Sequence, residues 1–166
     1  MAHPLSDAFE DAESAPGRVL LVDDQPELRR LFRRNLNKIG HVVVEAWNGR
    51  VALDLVQQLS FDVVISDVHM PDLSGIDLLQ ALSELEPDLP VVLTSGSPGG
   101  VATLEAGDLG VFAYLVKPVS FDTMRDTVAK AIDMRRARAA AKELFEPYCS
   151  VERLRVPRPE GEDDER

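Results

Sequence analysis

Polar side chains that could carry chemistry follow four separate apolar runs of the sequence. Each run is short and is bounded by turn-forming residues, which is typical of a buried strand. The residues at the ends of these runs are Asp23 and Asp24, Asp67, Thr94 and Ser95, and Lys117. A carboxylate at the point where a buried strand becomes a loop is a reactive group on a rigid support.

Three carboxylates in one place must share protons or hold a cation. Two of them about 4 Å apart repel each other by ~4 kcal/mol at an effective dielectric constant near 20. Oxygen ligands with open coordination positions suit Mg²⁺, which keeps several waters and accepts a phosphate oxygen. A lysine ammonium and a hydroxyl next to that metal could hold a phosphoryl group. These residue types therefore predict phosphoryl chemistry, with Asp67 as the nucleophile that forms an acyl phosphate.

Alternating strands and helices are needed to bring these segments together. Continuous apolar runs, separated by segments with helical spacing, are typical of parallel strands that helices cover on both faces. The predicted strands cover residues 19–22, 41–46, 61–66, 89–93 and 111–116. We predict an α/β fold with a doubly wound, five-stranded parallel sheet and helices on both faces. In such a sheet, ligands bind beyond the carboxyl ends of the strands.

The last helix is predicted to extend beyond the globular body. It begins near Ser120 or Asp122 and carries Met124, Val128 and Ile132 as a buried stripe. The following residues, 133–145, are rich in Ala and Arg and contain no Gly or Pro. We expect the helix to continue to about Phe145 and the chain to become irregular at Pro147.

The predicted domain organisation has four parts. The globular domain and a helical extension of its last helix lie between two acidic segments. The parts are a flexible leader over residues 1–17, the domain over 18–135, the helical extension over 136–146 and an irregular tail over 147–166.

Composition and charge exclude several classes of protein. The net charge of −11 argues against general nucleic-acid binding. Residues 1–17 contain four acidic residues and no Lys or Arg, so much of this charge lies outside the predicted domain. No apolar run has the length of a membrane span, and we expect a cytoplasmic protein. The single cysteine, Cys149, excludes an internal disulfide.

The motifs at the strand ends together resemble the receiver domain of bacterial response regulators in two-component signalling, a CheY-like family. The matching segments occur in order over residues 18–135, and Gly75 follows the second of them. They are residues 20–24, 67–71, 90–96 and 114–118. The resemblance implies the strand order 2-1-3-4-5.

The resemblance also assigns roles to individual residues. Asp67 matches the phosphorylated aspartate, and Lys117 matches the lysine that contacts the phosphoryl oxygens. Asp24 matches the direct Mg²⁺ ligand, and Asp23 matches the acid that holds the metal through water. The backbone carbonyl of His69 would be a further metal ligand. The peptide bond after Lys117 is expected to be cis, as receivers often have it.

Two candidates remain for the hydroxyl that reports phosphorylation. The spacing in the family favours Ser95 over Thr94, and strand alternation allows only one of them to face the site. Tyr114 matches the aromatic residue whose ring moves inward when that hydroxyl is drawn to the phosphoryl group. The alternative for Tyr114 is a half-buried ring with a packing role. Trp47, after the second strand, is assigned to packing far from the site.

The resemblance implies a signalling switch, which is not a turnover enzyme. A histidine kinase or phosphotransfer protein would phosphorylate Asp67. The surface formed by the helix after the fourth strand, the fifth strand and the last helix would then change self-association or partner binding. A homodimer through that surface or through the last helix is one form of output, and an output domain in a longer chain is another.

Two other classes of function are open at this stage. One is an interaction module that has the receiver fold but does not depend on phosphorylation. The other is a metal-dependent phosphatase with an aspartyl nucleophile, which would carry Asp-x-Asp straight after the first strand. Here Asp23 and Asp24 are adjacent, and the candidate nucleophile lies on the third strand.

Overall fold

A computed structural model describes residues 16–96 and 110–149, with side chains up to residue 144. It contains one five-stranded, fully parallel sheet with the order β2-β1-β3-β4-β5. The strands are β1 (Arg18–Val22), β2 (Val42–Ala46), β3 (Val63–Asp67), β4 (Val91–Ser95) and β5 (Ala113–Val116). The helices are α1 (Pro26–Lys38), α2 (Gly49–Gln58), α3 (Gly75–Leu85) and α4 (Phe121–Cys149).

This architecture confirms the predicted fold class and strand order. The helix that was predicted after the fourth strand lies outside the described residues, as do the leader up to residue 15 and the tail from residue 150. None of the helices in the described part of the chain is long and apolar enough to cross a membrane.

Both faces of the sheet are buried, which explains why its central strands are continuous apolar runs. Alternate residues of β1, β3 and β4 contribute to two separate apolar clusters. One cluster includes Leu78 and Leu82 of α3, and the other includes Leu36 of α1 and Ile132 of α4. Because the central strands are fixed on both sides, the residues at their carboxyl ends have a rigid support.

Side-chain caps set the start of the helices that follow β2 and β3. The Asn48 side chain accepts a hydrogen bond of 2.9 Å from the Val51 amide at the start of α2. Ser74 and Asp77 form a reciprocal capping box at the start of α3. These caps define where the loops after the strands end.

The last helix is longer than predicted. It begins at Phe121 and continues to Cys149, whereas the sequence predicted helix to about Phe145 and an irregular chain from Pro147. Proline fixes φ near the helical value and removes one backbone N–H. Pro147 therefore removes one hydrogen bond from the last turns, but residues 147–149 keep helical geometry.

His41 is buried just before β2, one residue outside the strand in which it was predicted. Its Nδ1 accepts a hydrogen bond of 3.1 Å from the Gly17 amide. Burial, supported by the positive charge of Arg136, lowers the pKa of His41 below its ordinary value of 6.5, and Asp62 opposes this shift only in part. The folded state therefore favours the neutral imidazole.

The lowered pKa of His41 predicts a loss of stability in mild acid. The unfolded chain binds a proton at His41 more readily than the folded protein does. The stabilising contribution of neutral His41 is therefore complete above about pH 6.5 and is lost as pH falls through the lowered pKa of the folded state. Denaturant unfolding at about pH 7.5 and about pH 5.5 should show a smaller decrease in the free energy of unfolding for His41→Gln than for the unchanged protein. An equal decrease in both proteins would contradict this role of His41.

Candidate functional site

The carboxyl ends of four parallel strands bring the predicted site residues to one edge of the sheet. Asp67 is the last residue of β3 and Ser95 is the last residue of β4. Asp23 and Lys117 directly follow β1 and β5. In the register of the sheet, Asp67 lies opposite Thr94. Four segments that are far apart in sequence therefore end side by side.

Asp23, Asp24 and Asp67 form a compact cluster of carboxylates, which we call the acid cluster. One carboxylate oxygen from each residue lies within 4.8 Å of the others. Asp23 and Asp67 are only 4% and 5% exposed, whereas Asp24 is exposed. A donor set of three carboxylates at this spacing, open to solvent on one side, fits a hard divalent cation such as Mg²⁺.

Lys117 compensates the negative charge of the two buried acids. Its Nζ lies 3.0 Å from Oδ2 of Asp23 and 3.1 Å from Oδ2 of Asp67. Partial burial alone would lower the pKa of Lys117, but the hydrogen bonds and charges of Asp23 and Asp67 outweigh it and raise the pKa. The ammonium group is therefore charged and bridges the acids of β1 and β3.

Backbone amides hold the other oxygens of the buried acids. Oδ1 of Asp23 accepts a hydrogen bond of 2.8 Å from the Gln25 amide. Oδ1 of Asp67 accepts a longer bond of 3.3 Å from the His69 amide. Within residues 16–96 and 110–149, the carboxylate of Asp24 has no hydrogen bond or ion pair. Of the three acids, Asp24 is thus the most available for a direct metal bond.

The two candidate hydroxyls have different surroundings. Thr94 Oγ1 lies 3.5 Å from the backbone carbonyl of Ser66, within the sheet. Ser95 Oγ lies 3.5 Å from Nδ1 of His69, whose amide contacts Asp67. The contact between His69 and Ser95 was not predicted, because the two residues are far apart in sequence.

Tyr114 lies within β5, next to Leu93 of β4, and is partly buried against the apolar cluster that includes α3. Ser95 follows Leu93 by two residues and so projects to the same face of the sheet as Leu93. The candidate hydroxyl and the candidate aromatic residue therefore lie on the same face of neighbouring strands.

The loop after β3 passes very close to its own strand. A Cβ on Gly75 would overlap the backbone carbonyl of Asp67, and the Gly75 amide donates a hydrogen bond of 2.9 Å to the Val68 carbonyl. Asp72, at the tip of the loop, has a positive φ of 71°. The peptide bond between Lys117 and Pro118 is cis, as expected.

Trp47 does not have the remote packing position that was predicted. It directly follows β2, and β2 lies next to β1, so Trp47 is at the same edge of the sheet as the acid cluster. The Asp23 amide donates a hydrogen bond of 3.2 Å to the carbonyl of Ala46, the residue before Trp47. The indole is 59% exposed. The single tryptophan of the chain is therefore on the surface near the site.

Comparison with known proteins finds response regulators and their receiver domains. A family model of the response regulator receiver domain matches residues 19–129. The C4-dicarboxylate transport transcriptional regulatory protein DctD of Pseudomonas aeruginosa is 37% identical over 123 residues, which are 74% of this chain and 26% of DctD. The chain thus spans about a quarter of the length of this curated relative.

Solved structures of receiver domains match most of the chain. The chemotaxis protein CheY4 of Vibrio cholerae is 30% identical with a TM-score of 0.67, and the match covers 70% of this chain and 99% of CheY4. The response regulator TrrA of Thermotoga maritima, solved in complex with Mg(2+)-BeF, is 29% identical with a TM-score of 0.63. That match covers 69% of this chain and 97% of TrrA.

Gly75→Ala should destabilise the protein, because the added Cβ would displace the backbone carbonyl of Asp67. We expect a loss of about 3 kcal/mol in the free energy of unfolding, measured by denaturant titration. Gly96→Ala is the matched control, since a Cβ at Gly96 would meet no described atom within 4 Å. Equal effects of the two substitutions would contradict the close approach of the α3 N-terminus to β3.

Asp24→Asn should stabilise the protein when no divalent cation is present, by up to about 1 kcal/mol, because it reduces repulsion within the acid cluster. Mg²⁺ should raise the melting temperature of the unchanged protein, since a ligand that binds only the folded state stabilises it. This increase should be largely lost in Asp24→Asn. An undiminished Mg²⁺ effect in the variant would exclude Asp24 as a metal ligand.

Proposed function

We propose, because the chain belongs to the response regulator receiver domain family, that it is a phosphorylation-dependent switch with Asp67 as the phosphoryl acceptor. The observation that carries the proposal is the position of Lys117. Its ammonium bridges Asp67 and Asp23 next to the free carboxylate of Asp24. A charged ammonium and an exposed carboxylate that could bind a cation therefore both lie beside the buried carboxylate of Asp67.

The proposed reaction transfers a phosphoryl group from a phosphohistidine to Asp67. A carboxylate oxygen of Asp67 forms a bond to phosphorus, and the bond from phosphorus to the histidine nitrogen breaks, leaving the electron pair on that nitrogen. Lys117 already contacts Oδ2 of Asp67 and is charged, so its ammonium can stabilise the oxygens of the transferred group. The donor is a histidine kinase or a phosphotransfer protein in the cytoplasm.

The residues present fit a Mg²⁺ ion beside the acceptor. Asp24 and Asp67 would bind it directly, Asp23 would hold it through water, and His69 would contribute its backbone carbonyl. When bound, the ion supplies positive charge that offsets the approach of an anionic phosphoryl group to three carboxylates. The solved complex of TrrA with Mg(2+)-BeF supports this proposal by analogy.

Phosphorylation of Asp67 would change the positions of the Ser95 and Tyr114 side chains. The Ser95 hydroxyl now lies near His69, and a phosphoryl oxygen on Asp67 would offer it a stronger, charged acceptor. A shift of Ser95 would leave space on its face of the sheet for the Tyr114 ring to turn inward. These movements would alter the surface near β5 and α4 and thereby change self-association or the binding of a partner.

The output partner is also part of the proposal. DctD is named as a transcriptional regulatory protein, and the chain corresponds to only about a quarter of it. We infer that output here runs through a second copy of the chain, a separate partner, or an output domain in a longer form of the protein. A homodimer through α4 is one such arrangement.

Two alternatives predict different chemistry. A phosphorylation-independent interaction module would not need Lys117 placed between Asp23 and Asp67. An aspartyl phosphatase would release phosphate from an external substrate in repeated turnovers. The receiver interpretation predicts one stable phosphoryl adduct per chain and catalysis only of its own phosphorylation and dephosphorylation.

Incubation with Mg²⁺ and a small phosphodonor such as acetyl phosphate tests the acceptor. Intact mass spectrometry should show one phosphoryl adduct on the unchanged protein and none on Asp67→Asn. Asp72→Asn is the matched control, because Asp72 is an exposed acid of the same loop and Asn tolerates its positive φ. An adduct that persists in Asp67→Asn, or no adduct on any variant, would contradict the proposal.

The same samples can report the conformational response. Trp47 is the single tryptophan and lies at the same edge of the sheet as the acid cluster, so its fluorescence should change when the adduct forms. Size-exclusion chromatography of these samples separates the output routes. A change in oligomeric state supports self-association, and an unchanged state supports a separate partner.

A further inference from the structure

The exposed face of α1 carries a stripe of positive charge on a strongly acidic protein. The helix contains five basic residues and one acid, whereas the whole chain has a net charge of −11. Arg30, Arg34 and Lys38 recur every four residues, so they lie along one side of the helix. All three are exposed. We call these three residues the basic stripe.

The basic stripe is not neutralised by the rest of the described structure. Arg33, also on α1, forms an ion pair of 3.1 Å with Glu45, and Arg29 donates a hydrogen bond of 2.6 Å to the backbone carbonyl of Asp23. In contrast, Arg30, Arg34 and Lys38 form no ion pair or hydrogen bond with any residue in 16–96 and 110–149. Three adjacent cations thus have no partner within that part of the chain.

An apolar side chain lies next to the basic stripe. Leu31 is 52% exposed although it belongs to an amphipathic helix whose buried face is formed by Phe32 and Leu36. It precedes Arg34 by three residues and is therefore its neighbour on the helix surface. The face could accommodate a segment that combines acids with a few apolar residues.

The N-terminal leader has this composition. Residues 1–15 contain four acidic residues and no Lys or Arg, and they also contain three large apolar residues. The acids are Asp7, Glu10, Asp11 and Glu13, and the apolar residues are Met1, Leu5 and Phe9.

The leader joins the described structure beside the C-terminal end of α1. The Val42 amide donates a hydrogen bond of 2.9 Å to the carbonyl of Gly17. A Cβ on Gly40, the second residue after the helix, would lie 3.7 Å from Cγ of Pro16. The acidic leader and the basic stripe therefore begin at the same place on the surface.

We propose that residues 1–15 lie along the basic stripe, running from Lys38 towards the N-terminal end of α1. A helix of 13 residues is about 20 Å long, and 15 extended residues can span about 50 Å, so the leader can cover its full length. In this direction Glu13 would lie next to Lys38, and the acids nearer the N-terminus would lie next to Arg34 and Arg30. The segment proposed to cover the basic stripe thus belongs to the same chain.

The acidic C-terminal tail is less well placed for this role. It begins after Cys149, seventeen residues beyond Ile132, which is the last residue of α4 in the buried cluster. That stretch of helix corresponds to about 25 Å. The tail therefore begins far from the basic stripe, whereas the leader begins beside it.

Zero-length cross-linking of the full chain with a carbodiimide tests the contact directly. The reagent joins a carboxylate to a lysine amine only when the two groups touch. We expect peptide mass spectrometry to find links from residues 7–13 to Lys38 in preference to Lys130, which is exposed on α4 and serves as the internal control. This readout does not depend on phosphorylation, so it can fail or succeed independently of the proposed function.

The variants separate a specific contact from chance encounters. Because an exposed ion pair contributes a factor of about two to five, Arg30→Gln with Arg34→Gln should lower the yield of Lys38 links severalfold. Raised salt should have a similar effect. Equal links to Lys130, links to Lys38 from residues 160–165, or links between isotopically distinct copies of the chain would each overturn the proposal.

Discussion

The concentration of negative charge at one edge of the sheet is the constraint on which the rest of the site depends. Asp23 and Asp67 are buried carboxylates, and Asp24 adds a third negative charge within 4.8 Å. Such a cluster is costly unless positive charge is present. Lys117 supplies part of it from β5, on the far side of β4, and the exposed side of Asp24 leaves room for a cation. A cation bound beside Asp24 would therefore reduce the repulsion between the three carboxylates.

This arrangement is possible because the backbone around the acids is rigid. Both apolar clusters hold the central strands, and backbone amides of Gln25 and His69 fix one oxygen of each buried acid. Gly75 allows the start of α3 to pass against the carbonyl of Asp67. Main-chain contacts therefore help to fix the position of Asp67, and the Lys117 ammonium contacts its other oxygen.

The sequence predicted the fold and the gathering of the acids well, because both follow from the topology of parallel strands. Once the apolar runs are strands of one parallel sheet, Asp23, Asp67 and Lys117 must end at the same edge. Trp47 was misplaced because the prediction considered it apart from the strand order, in which β2 and β1 are neighbours.

Other features depend on local geometry that the periodicity of the sequence does not contain. The extent of α4 could not be predicted because a proline disfavours helical geometry without forbidding it, so Pro147 gives no fixed boundary. The contact between His69 and Ser95 joins the loop after β3 to the last residue of β4. The roles of these residues, and of Asp67 as acceptor, stay predictions that the fold alone does not test.

A crystal structure with Mg²⁺ and beryllofluoride, an analogue of the phosphoryl group, would test the central claim most directly. We expect the analogue on a carboxylate oxygen of Asp67, the metal against Asp24, and Lys117 Nζ in contact with a fluorine. We also expect that Ser95 Oγ has left His69 for the analogue. Beryllofluoride bound elsewhere, or bound at Asp67 with Lys117 in contact with Asp23 and not with a fluorine, would contradict the role of Asp67 and Lys117 as acceptor and phosphoryl contact.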